Sequence, residues 1–439
     1  YHRLRYRLGT HDAALSLTLI AVICGLVTGL LINLFRLSID WLSFYIIGAS
    51  SAASTNSGGL TFYHLSSTTR FLLPVISAVV LGLLYQFIKP KLRFTGLSHT
   101  VVRLHKFNGT MPVKNGILQF FAATLALGSG HSGGREGPAI HIGAAANSFL
   151  ARRLHLPHNS MRILVACGAA SAIGASFNTP IAGVIFAIEV IMMEYTLMSF
   201  TPIAVSAIVA TSITQVFIGN GSTFSVPALH DYSLLELPYM MLLGLMCGVS
   251  ALAFIRLQLL TQYLQKLPIS LRFILAGFLT GSIALYVPQV LGIGYDHVNA
   301  ALNGTLPWKL LAMLCVAKII ASAISNGVGM PIGIIGPSLV IGAALGGLAG
   351  HASQLFFPEL SSGAGFYALL GMGGVMGALL NAPLAALIAI LEMVRSPEAL
   401  MPGIIVIVTA SLCTDKIFGQ QSVVETVLNR QGVHLGAHP

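Results

Sequence analysis

Long apolar stretches, separated by short polar ones, occupy most of the chain. About 20 mainly apolar residues are needed to cross a bilayer as a helix. Runs of roughly this length or longer lie at 13–47, 71–88, 202–218, 237–263 and 270–292. Each run predicts a membrane-spanning helix. The pattern as a whole therefore predicts an all-α polytopic membrane protein.

Other apolar runs are shorter and are broken by glycine and proline. They lie at 139–150, 161–173 and 181–193, and a second broken region covers 309–394. Runs of about 10–17 residues are too short to cross the hydrocarbon core. Helices that stop inside a membrane are tolerated only where the backbone lines a polar cavity or is buried in protein. We therefore predict broken, re-entrant helices around such a cavity.

The two broken regions resemble each other in sequence. Residues 168–191 align with 371–394, and eight of the 24 paired positions are identical. Upstream, Gly134–Pro138 pairs with Gly333–Pro337 in the same order, about 200 residues apart. Internal repeats of this kind are typical of transporters whose site lies at the repeat interface near the membrane midplane.

We accordingly predict one transmembrane domain over 1–439, built from two homologous halves at about 13–218 and about 237–430. Inverted topology follows if each half crosses the membrane an odd number of times, which the sequence alone leaves open. No cytoplasmic regulatory domain is expected within this chain.

Composition supports a lipid environment and argues against a nucleic-acid partner. Hydrophobic residues make up 55% and charged residues 8%, whereas soluble domains carry about 25% charged residues. The net charge is +10, but the basic residues lie at the ends of apolar segments, as in 89–93 and 152–153. That distribution is typical of cytoplasmic loops and favours anion attraction. The five cysteines all lie in apolar runs, which indicates small core residues rather than disulfides or metal ligands.

Gly134–Pro138 carries the sharpest candidate chemistry. Pro138 suits the first turn of a helix, and the glycines leave the preceding amides uncovered. Unpaired N–H groups at a helix start attract anions. Glu136 is itself an anion at such a place. It can therefore occupy an anion site or yield it to a diffusible ion.

Four short motifs occur in order along the chain. They are Phe94–Ser98, Gly134–Pro138, Phe177–Gly183 followed by Ile188 and Glu189, and Gly333–Pro337. Their order and spacing resemble the CLC family of chloride channels and proton-coupled chloride antiporters. Gly134–Pro138 matches the family's GREGP motif in every residue. Gly333–Pro337 resembles its GIFAP motif with Ile335 in place of phenylalanine, and Phe94–Ser98 loosely matches GSGIP.

This resemblance, which covers about 13–430, implies a CLC-like fold of two inverted repeats that transports chloride or another small monovalent anion. It makes Glu136 the gating residue. The positions that the resemblance assigns to anion binding are Thr95, Gly134, Arg135, Gly137, Gly333, Ile334, Ile335 and Val424. It also implies a homodimer with one pore in each subunit. The bacterial inner membrane is the expected location.

Two departures from the family pattern concern mechanism. In family antiporters a proton-carrying glutamate follows the residue matched by Glu189, and here that position is Val190. The pore tyrosine aligns with Val424, which offers no hydroxyl. We therefore favour passive conduction, with a proton-coupled antiporter as the alternative. A proton route through Glu189 and the substituted Val190 position stays open.

Each candidate also has a structural interpretation. In this interpretation, Glu136 and Thr95 only cap helices, Arg135 lines a vestibule, and Glu189 anchors a helix end. His99, His131 and His141 lack metal-ligand spacing. We predict neither a metal nor a cofactor.

The remote alternative is a membrane-embedded hydrolase. Ser129 and His131 provide a nucleophile and a base but no evident orienting partner. We therefore do not expect an enzyme.

Overall fold

The computed structural model describes residues 13–48, 62–219, 221, 223–224, 232–395 and 397–430. Seventeen α-helices lie in these ranges, joined by short turns. In chain order they are α1 Ala13–Ile47, α2 Ser67–Phe87, α3 Gly96–Lys106, α4 Val113–Gly128, α5 Glu136–Arg153, α6 His158–Phe177, α7 Pro180–Phe186, α8 Leu197–Ile218, α9 Leu237–Leu260, α10 Ile269–Tyr286, α11 Tyr295–Leu302, α12 Trp308–Gly327, α13 Ile335–Phe356, α14 Ala364–Leu380, α15 Pro383–Val394, α16 Leu400–Leu412 and α17 Val423–Arg430.

The helices confirm the predicted membrane protein. In the described ranges, nine helical segments are long and apolar enough to cross a bilayer. The run predicted at 13–47 is α1 over its whole length, and the run at 71–88 is α2, which begins four residues earlier. All five cysteines are buried and unpaired.

The prediction of a short, broken run at 161–173 was wrong. This segment lies within α6, an unbroken helix of 20 residues. Its small residues, such as Gly168, Ser171 and Gly174, lower its apparent hydropathy. They also let neighbouring helices approach closely, so that 89% of its most apolar stretch is buried inside the protein. Sequence hydropathy underestimated α6 because α6 is surrounded by protein rather than lipid.

The two halves repeat the same sequence of breaks. Helices α6 and α14 both end at an asparagine in the left-handed conformation, Asn178 with φ 58° and Asn381 with φ 53°. Two residues later Pro180 and Pro383 begin α7 and α15, where a missing N–H removes no helical bond. The fold is thus the predicted one of two inverted repeats with broken helices. The boundaries given for the halves stay a prediction.

Close helix contacts also recur in both halves. A β-carbon added to Gly143 of α5 would lie 2.5 Å from the carbonyl oxygen of Gly168 on α6. The equivalent contact in the second half places a β-carbon on Gly342 at 2.3 Å from the carbonyl oxygen of Gly371. Only glycine permits these approaches. They fix α5 and α13, the two helices that begin at the paired glycine motifs, against their neighbours.

Candidate anion pathway

The two glycine motifs meet in the interior of the protein. Gly134 and Gly333 exchange backbone hydrogen bonds, with the Gly134 N–H donating at 2.8 Å and the Gly333 N–H donating at 2.7 Å. This antiparallel bridge joins the segments that precede α5 and α13. Two helix starts, each with N–H groups that lack intrahelical partners, therefore lie side by side.

Glycine at these positions allows the loops to touch. A β-carbon at Gly134 would lie 2.6 Å from the backbone nitrogen of Gly336, and one at Gly137 would lie 3.0 Å from the α-carbon of Gly333. Any side chain here would push the loops apart. The close contact brings the amides of both helix starts to a single place.

Glu136 is fully buried at this junction. The Tyr295 hydroxyl donates a hydrogen bond to its Oε1 atom, and Arg135 Nε lies 3.8 Å from the same oxygen. The Arg135 guanidinium also lies over the Tyr295 ring, 5.4 Å from its centroid. Oε2 has no hydrogen-bond partner among the described residues. One carboxylate oxygen is therefore held and the other is free to accept a proton or a donor.

A large cavity of about 480 Å³ lies on one side of Glu136. Gly137, Gly333 and Ile334 contribute to its wall, together with Thr95 at the start of α3. Thr95 makes no side-chain capping bond to its helix. Its side chain instead interacts with the Tyr85 hydroxyl. Anion binding by Thr95 therefore stays a prediction.

A small cavity of about 70 Å³ lies on the other side. Arg135 and Tyr295 form part of its wall, and so do Asp40, Asp296 and His297. Asp296 Oδ2 and His297 Nδ1 are 2.9 Å apart. Because Arg135 lines the small cavity and Gly137 lines the large one, Glu136 lies between the two.

Comparison with known proteins identifies the family. The model of the voltage-gated chloride channel family matches residues 76–415. The chain belongs to the CLC family. It is accordingly a multi-pass membrane transport protein of that family and not an enzyme.

Individual relatives extend the comparison to most of the chain. A protein of Ralstonia nicotianae named as a ClcB-like chloride channel protein is 30% identical over 418 residues, which are 94% of this chain and 96% of the relative. The H⁺/Cl⁻ exchange transporter ClcA of Vibrio cholerae is 31% identical, covering 73% of this chain and 69% of that protein. The structure of a slow cyanobacterial Cl⁻/H⁺ antiporter superposes with a TM-score of 0.83 at 21% identity, covering 96% of this chain and 99% of that one.

Not every position assigned to anion binding reaches a cavity. Ile335 is fully buried at the start of α13, and Gly134 lies within the bridge between the loops. Val424 is 1% exposed, whereas its neighbours Val423 and Thr426 line the large cavity. The roles of Gly134, Ile335 and Val424 therefore stay predictions. Any role of Val424 is indirect in this conformation.

Glu189 and its repeat counterpart Glu392 anchor helix starts. Glu189 accepts hydrogen bonds from the amides of Leu384 and Ala385 at the start of α15, at 3.2 and 2.6 Å. Reciprocally, Glu392 accepts from the amides at 181 and 182 of α7, at 3.1 and 2.8 Å. Each carboxylate caps the helix of the other half, which favours the anchoring interpretation. The proton route through Glu189 stays a prediction.

Val190 lies beside Glu189 in the π-helical turn that follows α7 and is 2% exposed. It can bind no proton. Ser129 and His131, the hydrolase candidates, do not form a dyad. The Ser129 hydroxyl donates to the carbonyl oxygens of Leu125 and Ala126, at 2.5 and 3.2 Å.

The sequence reasoning missed Tyr295, which contacts Glu136 although 159 residues separate them. The available signal was a tyrosine directly after the glycines of 292–294, at the start of a short helix. A residue at such a position has its side chain near a backbone turn. Nothing in the local sequence indicates that the Tyr295 side chain contacts Glu136.

Proposed function

We propose that this CLC protein exchanges chloride for protons across the membrane, with Glu136 as the shared group. The observation that carries this proposal is the place of Glu136, buried between two cavities with Oε2 unpartnered. A carboxylate at this point blocks the anion path when it is ionised. The same carboxylate can bind a proton and move aside.

The anion site itself follows from the cost of dehydration. A small anion that leaves water needs replacement donors, because an unsolvated charge in the bilayer is very unfavourable. The unpaired amides at the starts of α5 and α13, with the Thr95 hydroxyl, provide donors without placing a full positive charge in contact with the ion. Several weak donors of this kind allow the anion to leave as well as to enter.

Exchange is favoured over passive conduction by the relatives. The absence of a titratable group at Val190 favoured a channel. The Vibrio cholerae relative, in contrast, is named as an H⁺/Cl⁻ exchange transporter, whereas the Ralstonia nicotianae relative is named as a chloride channel protein. Passive conduction therefore becomes the second candidate, with Val190 as the observation behind it. Bromide, nitrate and fluoride remain candidate anions beside chloride.

Coupled flux decides between these candidates. The protein is reconstituted in liposomes with a chloride gradient and no pH gradient, and chloride and proton movements are recorded together. We expect protons to move uphill, driven by chloride. Chloride efflux with no proton movement would establish the channel instead.

The Glu136→Gln variant tests the role of the carboxylate. Glutamine cannot bind the proton, so we expect chloride flux to continue and proton movement to disappear. Glu359→Gln is the matched control, because Glu359 is exposed in the segment between α13 and α14. Proton coupling that survives in Glu136→Gln would exclude Glu136 as the shared group.

We further propose that the protein is a homodimer in a bacterial plasma membrane. The support is the CLC resemblance and the bacterial origin of the relatives. Light scattering of the detergent-solubilised protein should give twice the mass of one chain. A single-chain mass would contradict the dimer.

A further inference from the structure

The proposed exchange requires a proton route between Glu136 and the side of the large cavity. The anion uses the space beside Gly137 and Gly333. A proton carrier outside this space would let the proton and the anion reach Glu136 by separate routes. Val190 cannot bind a proton at the position expected for an inner relay. A separate titratable group is therefore needed elsewhere on this side.

Two histidines that the mechanism has not used face each other there. His99 Nδ1 and His141 Nε2 are 3.2 Å apart, which is hydrogen-bond distance. The two rings are nearly perpendicular, at 83° with centroids 5.1 Å apart. His99 lies on α3 and His141 on α5, so the bond links the helix that carries Glu136 to the helix that begins after Thr95.

The two histidines differ in their access to water. His99 is half-buried and lines the large cavity. His141 is fully buried, and its Nδ1 atom has no hydrogen-bond partner among the described residues. A buried polar atom without a hydrogen-bond partner costs free energy, so it calls for a structural or functional explanation. The pair thus has one end at water and one end deep in the protein.

His141 lies five residues after Glu136 on α5, about 7.5 Å further along the helix axis and roughly 140° around it. Water molecules around the start of α5 would have to connect the two side chains. We propose that the His99–His141 pair carries protons between the large cavity and Glu136. This inference rests on the proposed exchange function.

The transfer balances without any further reactant. A proton from cavity water binds His99 Nε2, and the proton on His99 Nδ1 passes to His141 Nε2. His141 then releases its Nδ1 proton to water leading to the Glu136 carboxylate. Both rings end neutral with their tautomers exchanged, and reorientation of the rings restores the starting state.

The environment of His99 and His141 disfavours a lasting positive charge on either ring. Burial disfavours a lasting positive charge on His99, and the charge of Arg103, one turn further along α3, adds to this effect. Burial likewise disfavours a positive charge on His141, and a charge on His99 would add to it. The Phe94 ring stacks beside His99, at 6.5 Å between centroids. A proton on either ring is therefore passed on rather than held.

The decisive comparison is between His99→Gln and His99→Glu in the reconstituted protein. The two replacements have nearly the same size, but only glutamate can carry a proton. We expect His99→Gln to keep chloride flux and to lose proton transport by about a hundredfold or more, the lower end of the range for a positioned proton-transfer group. His99→Glu should restore much of the proton transport. A purely structural role of His99 would not distinguish the two variants.

His141→Gln should show the same loss. His105→Gln is the control on α3, because the ring of His105 binds the carbonyl oxygen of Ile191 rather than His141. Glu189→Gln tests the competing proton route through Glu189.

Unchanged proton coupling in His99→Gln, in a protein whose unsubstituted form is coupled, would overturn the relay and leave the exchange function intact. If the unsubstituted protein moves no protons, both the exchange function and the relay are wrong.

Discussion

At the scale of single residues, the position of the Glu136 carboxylate depends on the group that donates a hydrogen bond to it. The Tyr295 hydroxyl donates to Oε1, and no described residue holds Oε2. A hydrogen bond to a charged group contributes about 1.5–3 kcal/mol. In the proposed mechanism, Tyr295 therefore stabilises the blocking position of the Glu136 carboxylate rather than the open one.

Replacement of Tyr295 by phenylalanine removes this donor and keeps the ring under Arg135. We expect chloride turnover to rise by about tenfold, since 1.4 kcal/mol corresponds to a factor of ten. Proton coupling should persist, because the carboxyl group of Glu136 is still present. Turnover is measured as the rate of chloride efflux from liposomes.

Tyr239→Phe is the control for that measurement. Its hydroxyl donates to the carbonyl oxygen of Ala349 at 2.6 Å, away from Glu136. Equal turnover in Tyr295→Phe and in the unsubstituted protein would show that the phenol does not hold the gate.

The residues of this site differ in how far the sequence could predict them. Glu136 and its glycines are contiguous, so their helix-start chemistry could be derived locally. Tyr295 and the His99–His141 pair are brought together only by tertiary packing, over 159 and 42 residues. The sequence placed Val424 at the anion site, but its side chain is buried, whereas the neighbouring Val423 lines the large cavity. Side-chain direction of this kind could not be read from the sequence.

At the scale of helices, position within the protein matters more than hydropathy. Apolar length predicted α1 and α2 well because lipid faces much of their surface. It failed for α6, which lies inside the protein and uses small residues for contact. The repeat in sequence was the more reliable signal. It depends on backbone geometry, such as the Asn178 and Asn381 caps, that both halves require.

Adjacent glycines on α13 test the importance of close helix contact. A β-carbon on Gly346 would lie 2.0 Å from the backbone carbonyl oxygen of Tyr367 on α14, which cannot yield without moving the helix. On Gly347 the nearest atom is the end of the flexible Leu311 side chain, at 3.1 Å. We expect Gly346→Ala to reduce stability by about 1–3 kcal/mol. Gly347→Ala should be neutral or slightly stabilising, since alanine favours a helix by about 1 kcal/mol.

Thermal unfolding in detergent measures both variants. The unfolding midpoint should fall for Gly346→Ala and stay level or rise for Gly347→Ala. Equal shifts would mean that α13 and α14 can separate freely, and that their contact does not fix the start of α13 at the anion site.

At the scale of the whole molecule, the two cavities differ in the charge around them. Arg93 lines the large cavity, directly after Lys89 and Lys91 at the end of α2. Two acidic residues, Asp40 and Asp296, line the small cavity together with Arg135. Basic residues near membrane-spanning helices stay on the cytoplasmic side. We therefore expect the large cavity, with His99 at its wall, to face the cytoplasm and the small cavity to face outward.

Thiol labelling tests this orientation, because all five native cysteines are buried and give little background. Gln262 and Asp40 are exposed and line the large and the small cavity, respectively. In intact cells, a membrane-impermeant maleimide should label Asp40→Cys and not Gln262→Cys. Gln262→Cys should react only after the cells are broken, which also shows that its thiol is accessible. The reverse pattern would place the large cavity and His99 on the outer side and the small cavity on the cytoplasmic side.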